Sequence, residues 1–253
     1  MQSPVEITDR SEYQSRMNEL LHIDPARTVV LTIDMQNDYL DAKLGTAPLS
    51  TGEAQRVVGN TRRLLDYARS HHLPVVHAYV KRRPVEAARG LGICAYVDAS
   101  QRARLSGNAQ AAARTAPDRM EGTPQAELPA ELVEPGDVHV TTKRFMDAFH
   151  GTDLDTLLGR VYKAETVVLA GINTDTCVYA TTFGASNRGY QPVVISDCVA
   201  SMRGLDNHRM ALELMARSIA WVLTFDELVG KVRQHGSAEP AAVREPGIGT
   251  MAS

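Results

Sequence analysis

The sequence predicts an α/β protein of three layers (α/β/α), built on a six-stranded, mainly parallel, doubly wound sheet. Three observations carry that expectation. Short β-branched apolar runs alternate with amphipathic segments of helical spacing along most of the chain. Several runs are apolar without interruption, the pattern of strands covered on both faces. The chain has 253 residues, 43% of them hydrophobic and 23% charged, enough to bury the core that such a sheet requires.

Taken in order, residues 1–27 are expected to form an N-terminal arm, in which Ser11 opens a short helix over 11–21 with a thin apolar face and Pro25 ends it. Thr28–Ile33 (TVVLTI) is the first buried strand, and it breaks abruptly into the polar Asp34-Met35-Gln36-Asn37-Asp38. Val57, Val58, Leu64, Leu65 and Ala68 place a helix over 53–70, and Pro74 introduces a second strand over 75–80, which completes a β-α-β unit. The alternation continues with strand 138–141, helix 152–160, strand 166–170, helix 177–187, strand 192–196, helix 205–217, strand 219–223 and helix 225–233. One domain over 28–233 follows. Residues 81–125 are Ala-, Arg- and Gly-rich and too long for a plain connection, so they are expected to be a lid or an oligomer contact. Residues 234–253 are small, polar and Pro/Gly-containing, and are expected to be a flexible tail. No period of 20–50 residues repeats, which excludes solenoids and propellers.

Composition removes several function classes. Lys and Arg number 27 against 30 Asp and Glu, a formal charge of −3 with no basic block, so neither nucleic acid nor an anionic membrane is an expected partner. No window reaches the ~18 apolar residues of a membrane span, and MQSPVEITDR lacks the pattern of a secretion signal, so a cytoplasmic protein is expected. Cys94, Cys177 and Cys198 form no C-x-x-C pair and no metal-ligand spacing, and an odd count is a poor disulfide framework. At least one is therefore a candidate working thiol. Serine-hydrolase elbows, dinucleotide fingerprints and phosphate-binding loops are absent.

In an open parallel sheet, ligands bind beyond the carboxyl ends of the strands, so polar residues just after apolar runs are the first candidates. Asp34 follows strand 28–33. Lys143 follows strand 138–141, and Cys177 follows strand 166–170 through the turn Gly171-Ile172-Asn173-Thr174-Asp175-Thr176. With Asp175 or Thr174 as N-cap, Cys177 falls in the first turn of a helix, where unpaired N–H groups and the positive helix end favour thiolate over thiol. Those N–H groups suit an oxyanion formed when sulfur attacks a carbonyl. A neighbouring Lys143 adds to the thiolate preference, and Asp34 is suited to take the thiol proton and return it to a departing amine. Taken singly, each of the three has an ordinary explanation: a packed Cys, a solvated Lys, a turn Asp.

Together, the segments VVLTIDMQNDYL, TTKRFMDAFHGTDLDTLL and VVLAGINTDTCVYATTFGASNRGYQPVVISDCVAS resemble the isochorismatase-like cysteine hydrolases, over about residues 28–225. The closest pattern is that of N-carbamoylsarcosine, biuret and ureidoacrylate amidohydrolases. The resemblance implies the isochorismatase-like fold, with Asp34 as general acid/base, Lys143 as the cation that orders the triad and Cys177 as the acylated nucleophile. It implies an oxyanion hole from the backbone N–H groups of Asn173 and Cys177 and a non-proline cis bond at Ile172-Asn173. It also implies hydrolysis of an amide or ureide with no cofactor, and a homodimer or homotetramer. Gln36, two residues after Asp34, is expected to face the same side of the strand end, to support the site and to be among its substrate-binding residues.

Departures from the family narrow the chemistry. Metal-binding nicotinamidases carry an Asp-x-His arrangement, and this chain has no histidine between His22 and His71, so no metal is expected and nicotinamide is disfavoured. Isochorismatases proper lack the cysteine, whereas Cys177 is present, which favours the amidohydrolase branch. Phe145 and Phe149 are expected to wall the pocket beside a planar amide, or else to be ordinary loop packing. The excursion sets Lys81, Arg82, Arg83, Arg89, Arg102, Arg104, Arg114 and Arg119 against Glu86, Asp98 and Asp118, so one of its arginines is a candidate to meet a substrate carboxylate. Arg203 and His208 lie past another strand end and are further candidates for substrate binding. Cys94 and Cys198 are expected to be structural. The alternatives are a different amide, aryl or cyclic, and a non-catalytic binding module of the same fold.

Overall fold

The computed structural model describes residues 8–45, 48–89, 95–96, 99, 102–103 and 119–237. Six parallel strands form one sheet: β1 Thr28–Ile33, β2 Val75–Ala78, β3 Val138–Val140, β4 Thr166–Ile172, β5 Gln191–Ala200 and β6 Trp221–Leu223. Their order is β3-β2-β1-β4-β5-β6, the doubly wound arrangement in which the winding reverses between β1 and β4. These two central strands are buried along their whole length, which is why TVVLTI and TVVLAGI carry no alternation. In-register pairs run from Thr28–Thr166 to Ile33–Gly171, so the ends of β1 and β4 lie side by side.

The helices are α1 Ser11–Leu20, α2 Asn37–Leu40, α3 Thr51–Ser70, α4 Pro84–Arg89, α5 Leu154–Thr156, α6 Tyr179–Asn187, α7 Leu205–Ser218 and α8 Phe225–Ser237. On one face, Ala54, Val57, Leu64, Leu65 and Ala68 of α3, with Leu228 and Val232 of α8, pack on Val30, Val168, Ala170 and Val193. On the other, Leu154 of α5, Ala185 of α6 and Met215 of α7 pack on Val29, Leu31, Val167 and Val194. The predicted three layers are thus present. No described helix is long and apolar enough to cross a membrane.

Several expected boundaries shift for physical reasons. The fifth strand was expected to stop at Ser196, but it runs to Ala200 through an irregularity: Leu169 pairs with Val194, whereas Gly171 pairs with Val199. The polar Ser196-Asp197 that suggests an end is where the strand bulges, and Asp197 Oδ1 there accepts from the Phe225 N–H at the start of α8. The helix expected over 152–160 is a short α-turn continued by a wider one over Leu157–Val161.

The segment before β1 lies along the β6 edge. Leu21 and Ile23 are buried, Trp221 Nε1 donates to Met17 O at 3.0 Å, and Gln191 Nε2 donates to His22 O at 2.9 Å. Residues 234–237 complete α8, and the rest of the expected tail lies outside the described residues. So do most of the 81–125 excursion and Cys94, whereas its base is tied back by the Arg82–Met120 bridge.

Candidate active site

The end of β1 delivers Asp34 in a left-handed turn, φ 49°, with its N–H bonded to Ala78 O at 2.9 Å. Gln36, just beyond it, is completely buried. Its Nε2 donates to Val80 O at 2.8 Å and Ala126 O at 2.6 Å, and its Oε1 accepts from Val80 N–H at 3.4 Å. Its amide therefore ties the end of β1 to the chain beyond β2, a structural use of the support expected from it. β4 comes in against β1 so closely that a Cβ on Gly171, φ 138°, would fall on the backbone of Ile33. Only glycine permits that approach.

Lys143 arrives from beyond β3. Arg144 holds it there, donating from NH1 to Lys143 O at 2.8 Å and Thr141 O at 3.0 Å, from NH2 to Lys81 O at 2.9 Å, and from Nε to Glu86 Oε1 at 2.9 Å. Those contacts, with Arg83, hold the Glu86 carboxyl down at about 2. Lys143 Nζ donates to Asp34 Oδ2 at 2.6 Å, and both side chains are almost wholly buried. Burial works against the ammonium, but the Asp34 charge, the Cys177 sulfur and the Asp34 hydrogen bond outweigh it and hold Lys143 above its ordinary value. No aligned donor among the described residues reaches the other buried oxygen, Asp34 Oδ1.

Cys177 joins this pair from the end of β4. The Ile172–Asn173 peptide is cis. Asn173, not Thr174 or Asp175, is the N-cap, and it opens a wide turn over Thr174–Val178 that runs into α6. Its carbonyl accepts from both Thr176 N–H and Val178 N–H at 3.1 Å. Cys177 therefore sits four residues into the helical segment.

The helix position and Lys143, which favour a thiolate, are opposed here. Burial pushes the Cys177 thiol up to about 11; Lys143 pulls it down, but the Asp34 carboxylate, by charge and hydrogen bonding, pushes it back up. With Asp34 this close, the cation is shared between carboxylate and sulfur.

The remaining candidates fall in different places. Phe149 is core: it is 4% exposed, stacked on Tyr190 with centroids 5.9 Å apart, and covered by Arg188. Phe145 is 54% exposed and meets His150 edge-on at 4.4 Å. Arg203 and His208 hold the turn that leads to Cys177, at Asp175 (3.1 Å) and Thr174 Oγ1 (2.9 Å). Among the described cations of the excursion, Arg119 has a charge that acts on both Lys143 and Cys177. It lies over the Tyr39 ring, donates to the Tyr39 hydroxyl, and has Nε 3.8 Å from Asp38 Oδ2.

Sequence reasoning did not single out Arg144, Asp38 or Tyr39. Each acts through partners far away in the chain, so spacing carries no signal for them. Among the described residues, no group of three His, Cys, Asp or Glu side chains is placed to hold a metal. His77 lies in the sheet between Thr32 and Asp137, and His71 stacks on Tyr67.

The isochorismatase domain model matches residues 28–227. The chain is 28% identical over 210 residues to the phenazine biosynthesis protein PhzD of Pseudomonas fluorescens, covering 82% of this chain and 87% of that protein. It is 30% identical over 191 residues to the maleamate amidohydrolase of Pseudomonas putida, covering 74% and 78% respectively. Among solved structures, N-carbamoylsarcosine amidase from Thermoplasma acidophilum superposes with a TM-score of 0.56 at 25% identity, covering 78% of this chain and 96% of that one. The sheet order, the strand-end site and these matches place the chain in the isochorismatase-domain family.

Proposed function

We propose that this protein is a cysteine amidohydrolase that cleaves the C–N bond of a small amide, carbamoyl or ureido compound through an acyl intermediate on Cys177. The observation that carries the reading is the buried Lys143–Asp34 pair at 2.6 Å beside a thiol that responds to both charges. The likeness to the maleamate and N-carbamoylsarcosine enzymes, both named for cleaving amides, supports it.

The chemistry follows from the protonation states. A substrate carbonyl docks at the sulfur, and Asp34 takes the thiol proton through Oδ1, the oxygen not engaged by Lys143. The sulfur attacks the carbonyl carbon, and the backbone N–H groups of Asn173 and Cys177 receive the resulting oxyanion. Asp34 returns the proton to the nitrogen as the C–N bond breaks, releasing ammonia or an amine and leaving a thioester or thiocarbamate. Water then gives a proton to Asp34 and attacks the acyl carbon, the acid departs, and the thiol recovers its proton. Lys143 keeps Asp34 in place throughout. Holding the thiol neutral until substrate arrives also keeps a reactive sulfur out of contact with oxidants. Arg119 is the cation placed to meet a carboxylate on the substrate, as a maleamate-like acid would carry.

The test is ammonia release from carbamoyl amino acids, ureidoacrylate-like acids, maleamate and nicotinamide, with the Cys177→Ser variant alongside. Loss of at least about a thousandfold in the variant is expected. Release that survives in Cys177→Ser would overturn the nucleophile and point to chemistry led by Asp34 alone. An Arg119→Ala variant is expected to raise KM for acids more than for neutral amides.

A further inference from the structure

The turn that carries Cys177 is fastened from outside its own helix. Three successive residues of the turn are each bonded to the segment that follows β5. Asn173 Oδ1 accepts from Met202 N–H at 2.9 Å. Thr174 Oγ1 and His208 Nδ1 lie 2.9 Å apart. Asp175 engages with both oxygens: Oδ1 accepts from Ser201 Oγ at 2.7 Å and Oδ2 from Arg203 NH1 at 3.1 Å. The Ser201 hydroxyl is itself aimed by Arg203 N–H, which donates to it at 3.1 Å.

Such a fastening is needed because the turn is not a regular α-helical one. The Asn173 carbonyl closes both a narrow and a wide loop, onto Thr176 and Val178, so backbone bonding alone leaves the turn free to rewind by a residue. A rewound turn would carry Sγ away from Asp34 and Lys143. Of the three ties, the one at Asp175 carries charge on both sides, and its carboxylate is the better shielded partner, 13% accessible against 39% for Arg203. Charge-assisted bonds of this kind are the stronger ones.

We propose that Asp175 is a positioning residue for the nucleophile: clamped by Ser201 and Arg203, it sets the turn that places the Cys177 sulfur against Asp34, and Arg203 works through it rather than on the substrate. The proposal rests on the reading of Cys177 as the nucleophile, but its main test does not require turnover. Alkylation of Cys177 by iodoacetamide, followed by mass spectrometry from neutral to strongly alkaline pH, reads the sulfur's surroundings directly. In the wild-type protein the midpoint is expected near 11. In Asp175→Ala it is expected to fall toward the ordinary thiol value of about 8.5, because the freed sulfur leaves its buried place beside the carboxylate. Asp175→Asn keeps an acceptor for Ser201 but loses the charge pair with Arg203, and is expected to fall between wild type and Asp175→Ala, close to Arg203→Met.

On a substrate found in the ammonia assay, Asp175→Ala is expected to lower kcat by on the order of a hundredfold, the cost of a misplaced reacting atom, with KM little changed. Ser201→Ala and Arg203→Met each remove one donor; they are expected to move both readings in the same direction by less, and to combine with Asp175→Ala with no added loss. They serve as the test should Asp175→Ala fail to fold. A folded Asp175→Ala with the wild-type midpoint and kcat would overturn the proposal. So would an Arg203→Met variant that raises KM for carboxylate substrates alone with the midpoint unmoved, since Arg203 would then touch the substrate. If the wild-type protein hydrolyses no amide but the midpoint still falls in Asp175→Ala, the amidohydrolase reading fails and the positioning role stands.

Discussion

Two clusters of polar side chains are buried against this sheet, and they end differently. On the α3 face, Thr32 Oγ1 and His77 Nδ1 lie 2.6 Å apart, His77 Nε2 and Asp137 Oδ2 lie 3.2 Å apart, and Asp137 accepts from Arg69 NH2 at 2.6 Å and from Glu134 N–H at 2.8 Å. Arg69 donates onward to Leu132 O at 2.8 Å. The order threonine, histidine, aspartate imitates a catalytic triad, yet the chain is closed at both ends, by Thr32 and by Arg69. At the strand ends, by contrast, Asp34 is paired through one oxygen, its other oxygen lacks an aligned donor among the described residues, and its charge and burial together push the neighbouring thiol up. The first cluster has no vacant acceptor and makes structure. The second keeps one open where a proton can go, and pays for it with an incompletely satisfied buried carboxylate.

The largest effect should come from Lys143→Met. It leaves a carboxylate buried without its cation, and is expected to abolish turnover and to cost about 3–5 kcal/mol in urea unfolding. Stability close to wild type would mean that Asp34 is far better solvated than its burial implies.

The closed cluster should instead answer to acid. Burial is the main cause that drives His77 down to about 4 from the ordinary 6.5, against the pull of Asp137. The unfolded chain therefore takes up this proton near 6.5 while the folded chain resists until about 4. Stability attributable to His77 is intact above that window and lost as pH falls through it, by as much as about 3 kcal/mol. A His77→Gln variant whose acid stability profile matches that of the wild type would break this account.

Asp137→Ala is expected to cost about 2 kcal/mol by stranding His77 and Arg69, with kcat near wild type in the protein that remains folded. A selective fall in kcat would show the two clusters to be coupled. Smallest of all, Phe145→Ala, at an exposed position, is expected to change stability by less than about 0.5 kcal/mol, so any rise in KM would mark Phe145 as a pocket residue.

Much of this architecture was legible in the chain. Unbroken apolar runs locate β1 and β4, and polar residues placed directly after them locate Asp34 and the Cys177 turn, because a doubly wound sheet has only one end at which loops can converge on a ligand. The misread and the open positions share a cause. Ser196-Asp197 looks like a strand end because a bulge and a loop have the same polar composition. For Phe149 the sequence left a pocket wall and core packing open, because an aromatic side chain fits both equally well, and the structure packs it in the core. Gln36 is a substrate-binding candidate in the sequence, yet its buried amide is engaged by the backbone of Val80 and Ala126, partners that spacing does not reveal.

The sequence by itself determined the fold class and put Asp34, Lys143 and Cys177 forward as candidates just past strand ends, since these positions follow from periodicity and local breaks in it; the roles expected of them came from the family resemblance. Only the tertiary structure shows the forces that act on the thiol. Whether Cys177 rests as thiol or thiolate depends on the balance between burial, Lys143 and Asp34. That balance is set across a few ångströms by residues 109 positions apart in the case of Asp34 and Lys143, and interactions that fall off with distance in space leave no trace in spacing along the chain.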